Sequence, residues 1–312
     1  MNKLQINVSR PNMLITGSSG LLGSYILEQN TSISEKKEFN LLSPAHNELD
    51  ITDRNNLSKY FDKYRPEVVI NFAAHRDATT AEMQRGNKQG SAWQTNVNGT
   101  KNIAEQVKKY GSYLIHISTD YVFAGTSEHP GPFSEKDEPE QNNDLLSWYG
   151  ITKREAESAI LSFQNNSAIV RINNITRPNN QQRLDYIGKI LLLYEQKKLY
   201  PLFDDQYVSL TYIPLLDKMI KKLVKNKKAG VFHAASSDLC TPYELAQYAI
   251  ERLYGKKNVV KSSSINYFIS NHPRRYPKFG GLQSDFTQSQ LHINMPEWKE
   301  IVELYISGQK QT

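Results

Sequence analysis

The hydrophobic pattern of this chain changes character between its first half and its second half. In the first half, short apolar runs alternate with longer segments in which apolar residues recur at helical spacing. Continuous apolar runs of this length are typical of strands buried on both faces of a sheet. The predicted strands are 13–16, 39–42, 68–72, 113–118 and 168–171. Four helices are predicted: one that follows residue 23, two at 53–64 and 93–110, and one that begins near residue 149.

A glycine-rich turn joins the first predicted strand to the first predicted helix. Gly17, Gly20 and Gly23 are spaced three apart in the segment MLITGSSGLLGSYILE at 13–28. Gly17 permits the tight turn, Gly20 lets the backbone approach a pyrophosphate, and Gly23 allows the helix to pack closely on the strand. The helix N-terminus offers unpaired N–H groups to phosphates. Because a strand precedes the turn and a helix follows it, the motif favours a dinucleotide site over a turn without a ligand.

The alternation of strands and helices predicts an α/β fold, a Rossmann-like doubly wound parallel sheet with right-handed crossovers. After residue 177 the pattern changes to helices around 183–198, 213–225, 241–254 and 296–306, with short strands between them. We expect residues 1–177 to form an NAD(P)-binding Rossmann domain and residues 178–312 to form mainly a smaller C-terminal substrate-binding lobe. Some segments of that lobe are expected to return to the Rossmann sheet.

Carbonyl chemistry is indicated by Tyr149 and Lys153, which stand four residues apart. That spacing is about one helical turn, so the phenol and the ammonium share one helix face. A nearby cation lowers the pKa of a phenol, which is near ~10 in water. Ser118 and Thr119 end the fourth predicted strand, and a hydroxyl there could hold a carbonyl oxygen near the phenol. A ketone reduction needs such a proton donor and positioned carbonyl, together with a hydride donor.

Composition narrows the class of protein. The net charge of +6 is dispersed, which favours an anionic small-molecule substrate over nucleic acid. No apolar stretch approaches the ~20 residues that span a bilayer, and we expect no membrane association and no signal peptide at 1–10. The single cysteine, Cys240, fits a reducing compartment, so we expect a cytoplasmic protein. No group of residues has metal-ligand spacing. A homodimer is compatible with the sequence, which does not determine the oligomeric state.

Taken together, these residues resemble the extended short-chain dehydrogenase/reductase family, and within it the dTDP-4-dehydrorhamnose reductase group. The resemblance covers nearly the whole chain. The motifs that carry it are the glycine loop, LDITD at 49–53, RPEVVINFAAH at 65–75, NVNGT at 96–100, STDYVF at 118–123, YGITK at 149–153, DQ at 205–206 and RYPK at 275–278.

The resemblance implies NAD(P)H-dependent reduction of a nucleotide-linked 4-keto-6-deoxy sugar, in deoxysugar biosynthesis. It implies a catalytic set of Thr119, Tyr149 and Lys153: Thr119 orients the substrate oxygen, Tyr149 protonates it, and Lys153 lowers the pKa of Tyr149 and binds the nicotinamide ribose. The implied cofactor-binding residues are Gly17, Ser19, Gly20, Leu21, Leu22, Gly23, Ser43, Asp50, Ile51, Ala73, Ala74, His75, Asn96, Ser118, Tyr149 and Lys153. The implied substrate-binding residues are Arg76, Thr119, Asp120, Tyr121, Asn173 and Asn174.

Several alternatives stay open at this point. A sibling reaction, that of a nucleotide-sugar 4-epimerase or 4,6-dehydratase, is the nearest one. Dehydratases carry an Asp-Glu pair after the active-site threonine, whereas Asp120 is followed here by Tyr121. A non-catalytic dinucleotide-binding regulatory subunit is the other alternative. Asn174 replaces a tryptophan of the group, so the sugar is undetermined, and His75 and Asn96 could equally serve only to bond the backbone.

Coenzyme choice depends on the end of the second predicted strand. An NAD-selective site places an acidic side chain there, to accept hydrogen bonds from the adenosine ribose. The residues at 42–46 are LSPAH, without a carboxylate, and Ser43 or His46 could donate to a 2′-phosphate. Lys36 and Lys37 precede the strand and are expected to be solvated. The sequence therefore predicts use of both NADPH and NADH, with a modest preference for NADPH.

Overall fold

The computed structural model describes residues 10–32, 38–163, 166–178, 184–271 and 275–309. Its centre is a six-stranded sheet with the strand order β2-β1-β3-β4-β5-β9, in which every neighbouring pair is parallel. The predicted α/β class and doubly wound parallel sheet are confirmed. The strands are β1 (Asn12–Thr16), β2 (Asn40–Leu42), β3 (Val68–Asn71), β4 (Tyr113–Thr119), β5 (Ser167–Ile172) and β9 (Gly230–Ala234).

Helices cover both faces of this sheet, which is why every residue of β3, β4 and β5 is buried. On one face the core is formed with α1 (Leu21–Ser32), α8 (Ile213–Asn226) and α11 (Asp285–Leu291). On the other face it is formed with α2 (Arg54–Tyr64), α5 (Thr100–Tyr110) and α6 (Trp148–Ser162). The carboxyl ends of the parallel strands therefore form one common edge, where ligands bind in such folds.

The helix predicted at 93–110 is present, but its winding changes along its length. The chain forms α4 (Ser91–Trp93), a π-helical segment (Gln94–Gly99) and then α5. Hydrophobic periodicity does not report such a change of winding, because π-helical turns are short and local. A further short helix, α3 (Ala78–Glu82), begins at Asp77, whose carboxylate accepts hydrogen bonds from the N–H groups of Thr79 and Thr80.

The later part of the chain builds a second core from α7 (Tyr186–Glu195), α9 (Pro242–Tyr254) and α12 (Trp298–Gln309). Strand β9, which pairs with β5, comes from this part of the chain and completes the central sheet. Within the residues described, no helix has the length and apolar content to cross a membrane. The remaining elements are two short parallel pairs, a 3₁₀ helix and helix α10 (Ile265–Asn271). The pairs are β6 (Ile175–Thr176) with β8 (Thr211–Tyr212) and β7 (Leu202–Phe203) with β10 (Ser262–Ser263), and the 3₁₀ helix is Asp120–Val122.

Candidate active site

Strand β4 and helix α6 bring the three residues of the implied catalytic set together. Thr119 ends β4, and its hydroxyl lies within hydrogen-bonding reach of the Tyr149 phenol on the first turn of α6. Lys153 follows one turn later and is only 2% exposed. Gly150 makes this arrangement possible, since a Cβ there would lie 2.2 Å from the carbonyl oxygen of Tyr121. Gly150 stands inside the YGITK motif but is not one of the predicted site residues.

The pKa of Tyr149 differs from the expectation. Burial, followed by the nearby Asp120 carboxyl, raises it to about 12, while the Thr119 hydrogen bond and Arg76 act to lower it. The Nζ of Lys153 is directed elsewhere: it donates to the carbonyl oxygen of Ile117 at 2.8 Å and lies 3.1 Å from His116 Nε2. The expected depression of the Tyr149 pKa by Lys153 is therefore not found in this structure.

Two further groups at the site have shifted pKa values. Burial raises the pKa of Asp120 to about 7, although the Thr119 hydroxyl donates to its Oδ1 at 3.1 Å. Burial lowers the pKa of Lys153 to about 8, because Glu157, the neighbouring carboxylate that favours the cation, only partly offsets the loss of water. Clusters of shifted pKa values are typical of functional sites.

The glycine loop fits a dinucleotide, and its glycines have different roles. Gly17 has a φ of +65°, and a Cβ there would lie 2.6 Å from the backbone nitrogen of Ala73. A Cβ at Gly23 would lie 2.4 Å from the carbonyl oxygen of Gly17. At Gly20 it would meet only that carbonyl oxygen, at 3.2 Å. The fold itself thus requires Gly17 and Gly23, whereas Gly20 leaves space beside the start of α1, where Leu21 and Leu22 follow and Ser19 is exposed.

The loop after β3 is held in place by the side chain of Asn96. Asn96 is fully buried, and its Oδ1 accepts from the His75 N–H at 2.8 Å. Its Nδ2 donates to the His75 carbonyl at 3.0 Å and to Thr152 Oγ1 at 2.9 Å. Asn96 therefore ties the segment of Ala73, Ala74 and His75 to α6. The His75 ring lies 3.0 Å from Thr80 Oγ1.

The loop after β2 contains a carboxylate, just beyond the segment 42–46 from which coenzyme choice was predicted. Glu48 folds back, and its Oε2 accepts from the Ala45 N–H at 2.8 Å, close to the exposed Ser43 and His46. Asp50 Oδ1 accepts from the N–H and the hydroxyl of Thr52, both at 2.8 Å, and Ile51 beside it is buried. The prediction for Lys36 and Lys37 concerns positions outside the described residues.

A cavity of about 350 Å³ opens beside Tyr149, and seven of its fifteen lining residues are aromatic. Tyr121 contacts both Tyr149 and Tyr276 edge to face, with ring centroids 5.8 and 6.5 Å apart. Pockets of this size and composition are typical of small-molecule sites. The lining residues are Asp120, Tyr121, Asn173, Asn174, Tyr186, Tyr200, Leu202, Phe203, Gln206, Tyr207, Val208, Pro242, Phe268, Tyr276 and Pro277.

Unpaired polar groups point to ligand contacts at the site. Asn173 is 6% exposed, and its buried Nδ2 has no partner among the described residues. The buried hydroxyl of Ser118 likewise has no hydrogen-bond partner among the described residues. Asn174 lies at a φ of +29° and donates to the Ser209 carbonyl at 3.3 Å. Arg76 is exposed and close enough to influence the pKa of Tyr149.

Sequence reasoning did not find the aromatic lining from Tyr186 to Phe268, because it comes from separate later segments without a motif. Tyr276 belongs to the RYPK segment, which is a usable signal. His116 was also not predicted from the sequence, because it lies inside an apolar strand and no neighbouring residue indicates its contact with Lys153.

Comparison with known proteins agrees with this geometry. The chain is 29% identical over 241 residues to a dTDP-4-keto-6-deoxy-D-glucose reductase of Streptomyces niveus, covering 77% of this chain and 78% of that protein. The crystal structure of a dTDP-4-dehydrorhamnose reductase from Bacillus anthracis, in complex with NADP, superposes with a TM-score of 0.83 at 25% identity, covering 96% and 99% of the two chains.

A third relative is of a different kind. The chain is 32% identical over 171 residues to methionine adenosyltransferase 2 subunit beta of Bos taurus. The matched region is 54% of this chain and 48% of that protein. The chain thus spans about half the length of this relative. The model of the RmlD substrate binding domain family matches residues 11–310. The protein is therefore a member of the RmlD substrate binding domain family, within the extended short-chain dehydrogenases/reductases.

Proposed function

We propose that this protein reduces the 4-keto group of a nucleotide-linked 6-deoxy sugar with NADPH or NADH, in deoxysugar biosynthesis. The observation that carries the proposal is the contact of Thr119 with Tyr149 beside the aromatic cavity, with Lys153 buried one helical turn further on. The names of the Streptomyces niveus and Bacillus anthracis relatives support the same reaction.

In this proposal the glycine loop and the loop of Ala73 to His75 hold the dinucleotide, whose nicotinamide supplies a hydride when bound. Tyr149 is the general acid, since burial keeps its phenol protonated at neutral pH. The Thr119 hydroxyl orients the sugar oxygen beside that phenol. Lys153, when charged, stabilises the phenolate that forms as Tyr149 gives up its proton.

The cavity residues suit a nucleotide sugar. The rings of Tyr121, Tyr186 and Tyr276 offer stacking surfaces for a base, and the free Nδ2 of Asn173 offers a donor to a sugar hydroxyl. Arg76 is exposed beside the phenol and could meet the diphosphate. We include Asp120 and Asn174 in the same substrate contacts, because both line the cavity.

A panel of keto-sugar nucleotides, assayed for oxidation of NADPH and NADH, tests the proposal. A dTDP-linked 4-keto-6-deoxy sugar should be reduced with stoichiometric consumption of the coenzyme. Redistribution of sugar configuration without net coenzyme consumption would instead indicate an epimerase, and loss of water would indicate a dehydratase.

The similarity to methionine adenosyltransferase 2 subunit beta favours one second candidate, a non-catalytic dinucleotide-binding subunit. The contact of Thr119 with Tyr149, beside Tyr121 of the cavity lining, speaks for catalysis. Tight dinucleotide binding without turnover of any keto sugar would favour the regulatory alternative.

Three finer statements belong to the same proposal. A modest preference for NADPH follows from the exposed Ser43 and His46. A homodimer and a cytoplasmic location are further expectations, the latter from the single cysteine. Sedimentation equilibrium measures the oligomeric state, and fractionation of the native source measures the location.

A further inference from the structure

A row of buried polar side chains crosses the central sheet beneath helix α6. Thr16, Asn71 and His116 are register neighbours on β1, β3 and β4, and they are 3%, 1% and 0% exposed. Polar groups buried this deeply are stable only when their hydrogen bonds are satisfied. The donors and acceptors of the row can therefore be assigned from its contacts.

The orientation of the Asn71 amide follows from a backbone group. Its Oδ1 accepts from the Ala73 N–H at 3.2 Å, a group that can only donate, and from Thr16 Oγ1 at 2.7 Å. The amide nitrogen of Asn71 therefore faces His116 Nδ1, at 3.1 Å. Because an amide nitrogen only donates, Nδ1 of His116 is an acceptor, and the proton of the neutral imidazole is on Nε2.

This tautomer places a donor against the catalytic lysine. His116 Nε2 lies 3.1 Å from Lys153 Nζ, and the ring is neutral because burial and Lys153 hold its pKa well below the ordinary value. An ammonium group also only donates, so a charged Lys153 and the Nε2–H oppose each other. An uncharged amine accepts this N–H, and it still donates to the carbonyl oxygen of Ile117 at 2.8 Å.

The other ionisable groups around Lys153 do not remove this opposition. Glu157, one turn later on α6, is engaged by Arg171 of β5 at 2.7 and 3.1 Å. Tyr149 and Asp120 lie on the cavity side. Among the described residues, Lys153 forms no ion pair.

We propose that His116 is a positioning residue that acts through Lys153. Its Nε2–H, directed by Asn71, favours the uncharged amine and so sets the pH above which the lysine no longer supports Tyr149. The row also links this lysine to the glycine turn, since Thr16 immediately precedes Gly17, and to the loop that starts at Ala73. The inference rests on the proposed function only for its kinetic consequence. The tautomer itself is a property of the free protein.

Nitrogen-15 NMR of the free wild-type protein tests the tautomer directly, with the His116 ring assigned through its own bonded carbons. We expect a protonated Nε2 and an unprotonated Nδ1 throughout the neutral range. A proton on Nδ1, or a doubly protonated ring, would overturn the proposal. This measurement needs neither substrate nor a variant, so a protein that reduced no sugar would overturn the proposed function and leave the tautomer result intact.

The variant Asn71→Asp reverses the direction of the hydrogen bonds from residue 71 through His116 to Lys153. A carboxylate only accepts hydrogen bonds, so it favours the tautomer that carries the proton on Nδ1 and donates it a hydrogen bond. Nε2 is then unprotonated and accepts from the Lys153 ammonium. We expect the pKa of Lys153, followed by NMR of its ε-carbon, to rise by about one to two units, and the alkaline limb of kcat/KM to move with it. KM for the sugar nucleotide should change little.

The added negative charge could raise the lysine pKa without the ring, so the control is the double variant Asn71→Asp with His116→Leu. Loss of most of the rise in the double variant supports the role of His116. A rise of the same size without the imidazole would contradict it. If Asn71→Asp does not fold, the wild-type tautomer measurement still decides the question.

Discussion

At the level of single residues, neighbours with opposite effects set the pKa of Tyr149, the proposed proton donor. The Thr119 hydroxyl lowers the pKa of Tyr149, while burial and the Asp120 carboxyl raise it. The result is a phenol that stays protonated across the neutral range, which suits an acid that must deliver a proton to a developing alkoxide.

Tyr149→Phe removes only the hydroxyl from this position. We expect kcat for keto-sugar reduction to fall by ~10²–10⁴, the usual contribution of a general acid. Dinucleotide affinity, measured by fluorescence titration, should stay close to that of the wild type. Lys153→Met is the comparison variant and should reduce both turnover and dinucleotide affinity. Retention of more than roughly a tenth of the activity in Tyr149→Phe would show that another group is the acid.

Asp120 should make the stability of the protein depend on pH. Its pKa in the folded protein is about 7, raised by burial from an ordinary value near ~4. The folded state therefore binds the proton more tightly, so this stabilisation is complete below pH ~4 and is lost as the pH rises through about 7. We expect the free energy of unfolding of Asp120→Asn, relative to that of the wild type, to increase by on the order of 2–4 kcal/mol as the pH rises from ~4 through about 7.

Urea unfolding of both proteins at several pH values measures this difference. A difference in the free energy of unfolding that does not change with pH would contradict the raised pKa of Asp120. Activity is measured separately, because Asp120 also lines the cavity.

At the level of elements, the glycines of the turn between β1 and α1 have different roles. The fold requires Gly17 and Gly23, whereas we expect Gly20 to be required only for binding of the dinucleotide. Gly20→Val places a side chain where a Cβ meets only one carbonyl oxygen, at 3.2 Å. We expect a folded protein with severely weakened dinucleotide binding, measured by calorimetry and circular dichroism.

Gly23→Ala is the contrasting variant for this turn. Its Cβ would lie 2.4 Å from the Gly17 carbonyl oxygen, so it should lower the melting temperature as well as dinucleotide affinity. A folded Gly20→Val protein with normal dinucleotide affinity would contradict the assigned role of Gly20.

The end of β2 should determine the coenzyme preference. We expect NADPH to be preferred by about fivefold to tenfold in kcat/KM, or ~1 kcal/mol, and the preference to shrink as salt rises. The Glu48 carboxylate lies in this loop and would repel a 2′-phosphate, so Glu48→Gln should increase the preference. Glu67→Gln is the matched control, because Glu67 immediately precedes β3 and so lies at the amino ends of the strands, away from this loop. A clear NADH preference at low salt would contradict this assignment.

At the level of the whole molecule, Arg177 ties the end of the first half of the chain to helix α1. Its guanidinium donates to the Leu21 carbonyl at 3.0 Å, to Ser24 Oγ at 2.7 Å and to Glu28 Oε2 at 2.7 Å. The boundary predicted after residue 177 stays a prediction. Because β9 and α8 complete the central sheet and its core, the two halves of the chain share that core.

Arg177→Ala should lower the free energy of unfolding by about 2–4 kcal/mol, because it leaves buried acceptors on α1 without a donor. Glu28→Gln removes only the exposed partner of the arginine and should cost less than about 1 kcal/mol. Denaturant unfolding measures both values. Equal losses for the two variants would show that the bonds to the helix backbone contribute nothing.

The sequence by itself determined the features that depend on neighbouring residues. The glycine turn between β1 and α1, the apolar strands and the spacing of Tyr149 and Lys153 are local patterns, and local patterns predict secondary structure and class of fold. Their order along the chain was enough to indicate the extended short-chain dehydrogenase/reductase family, which the family match confirms.

Only the tertiary structure decided how these residues act on one another. The aromatic cavity is assembled from segments as far apart as Tyr121 and Tyr276. The pKa of Tyr149 moved opposite to the expectation, because burial dominates and Lys153 is turned toward Ile117 and His116. Burial and hydrogen-bond partners arise from packing between distant segments, and no local pattern of residues encodes them.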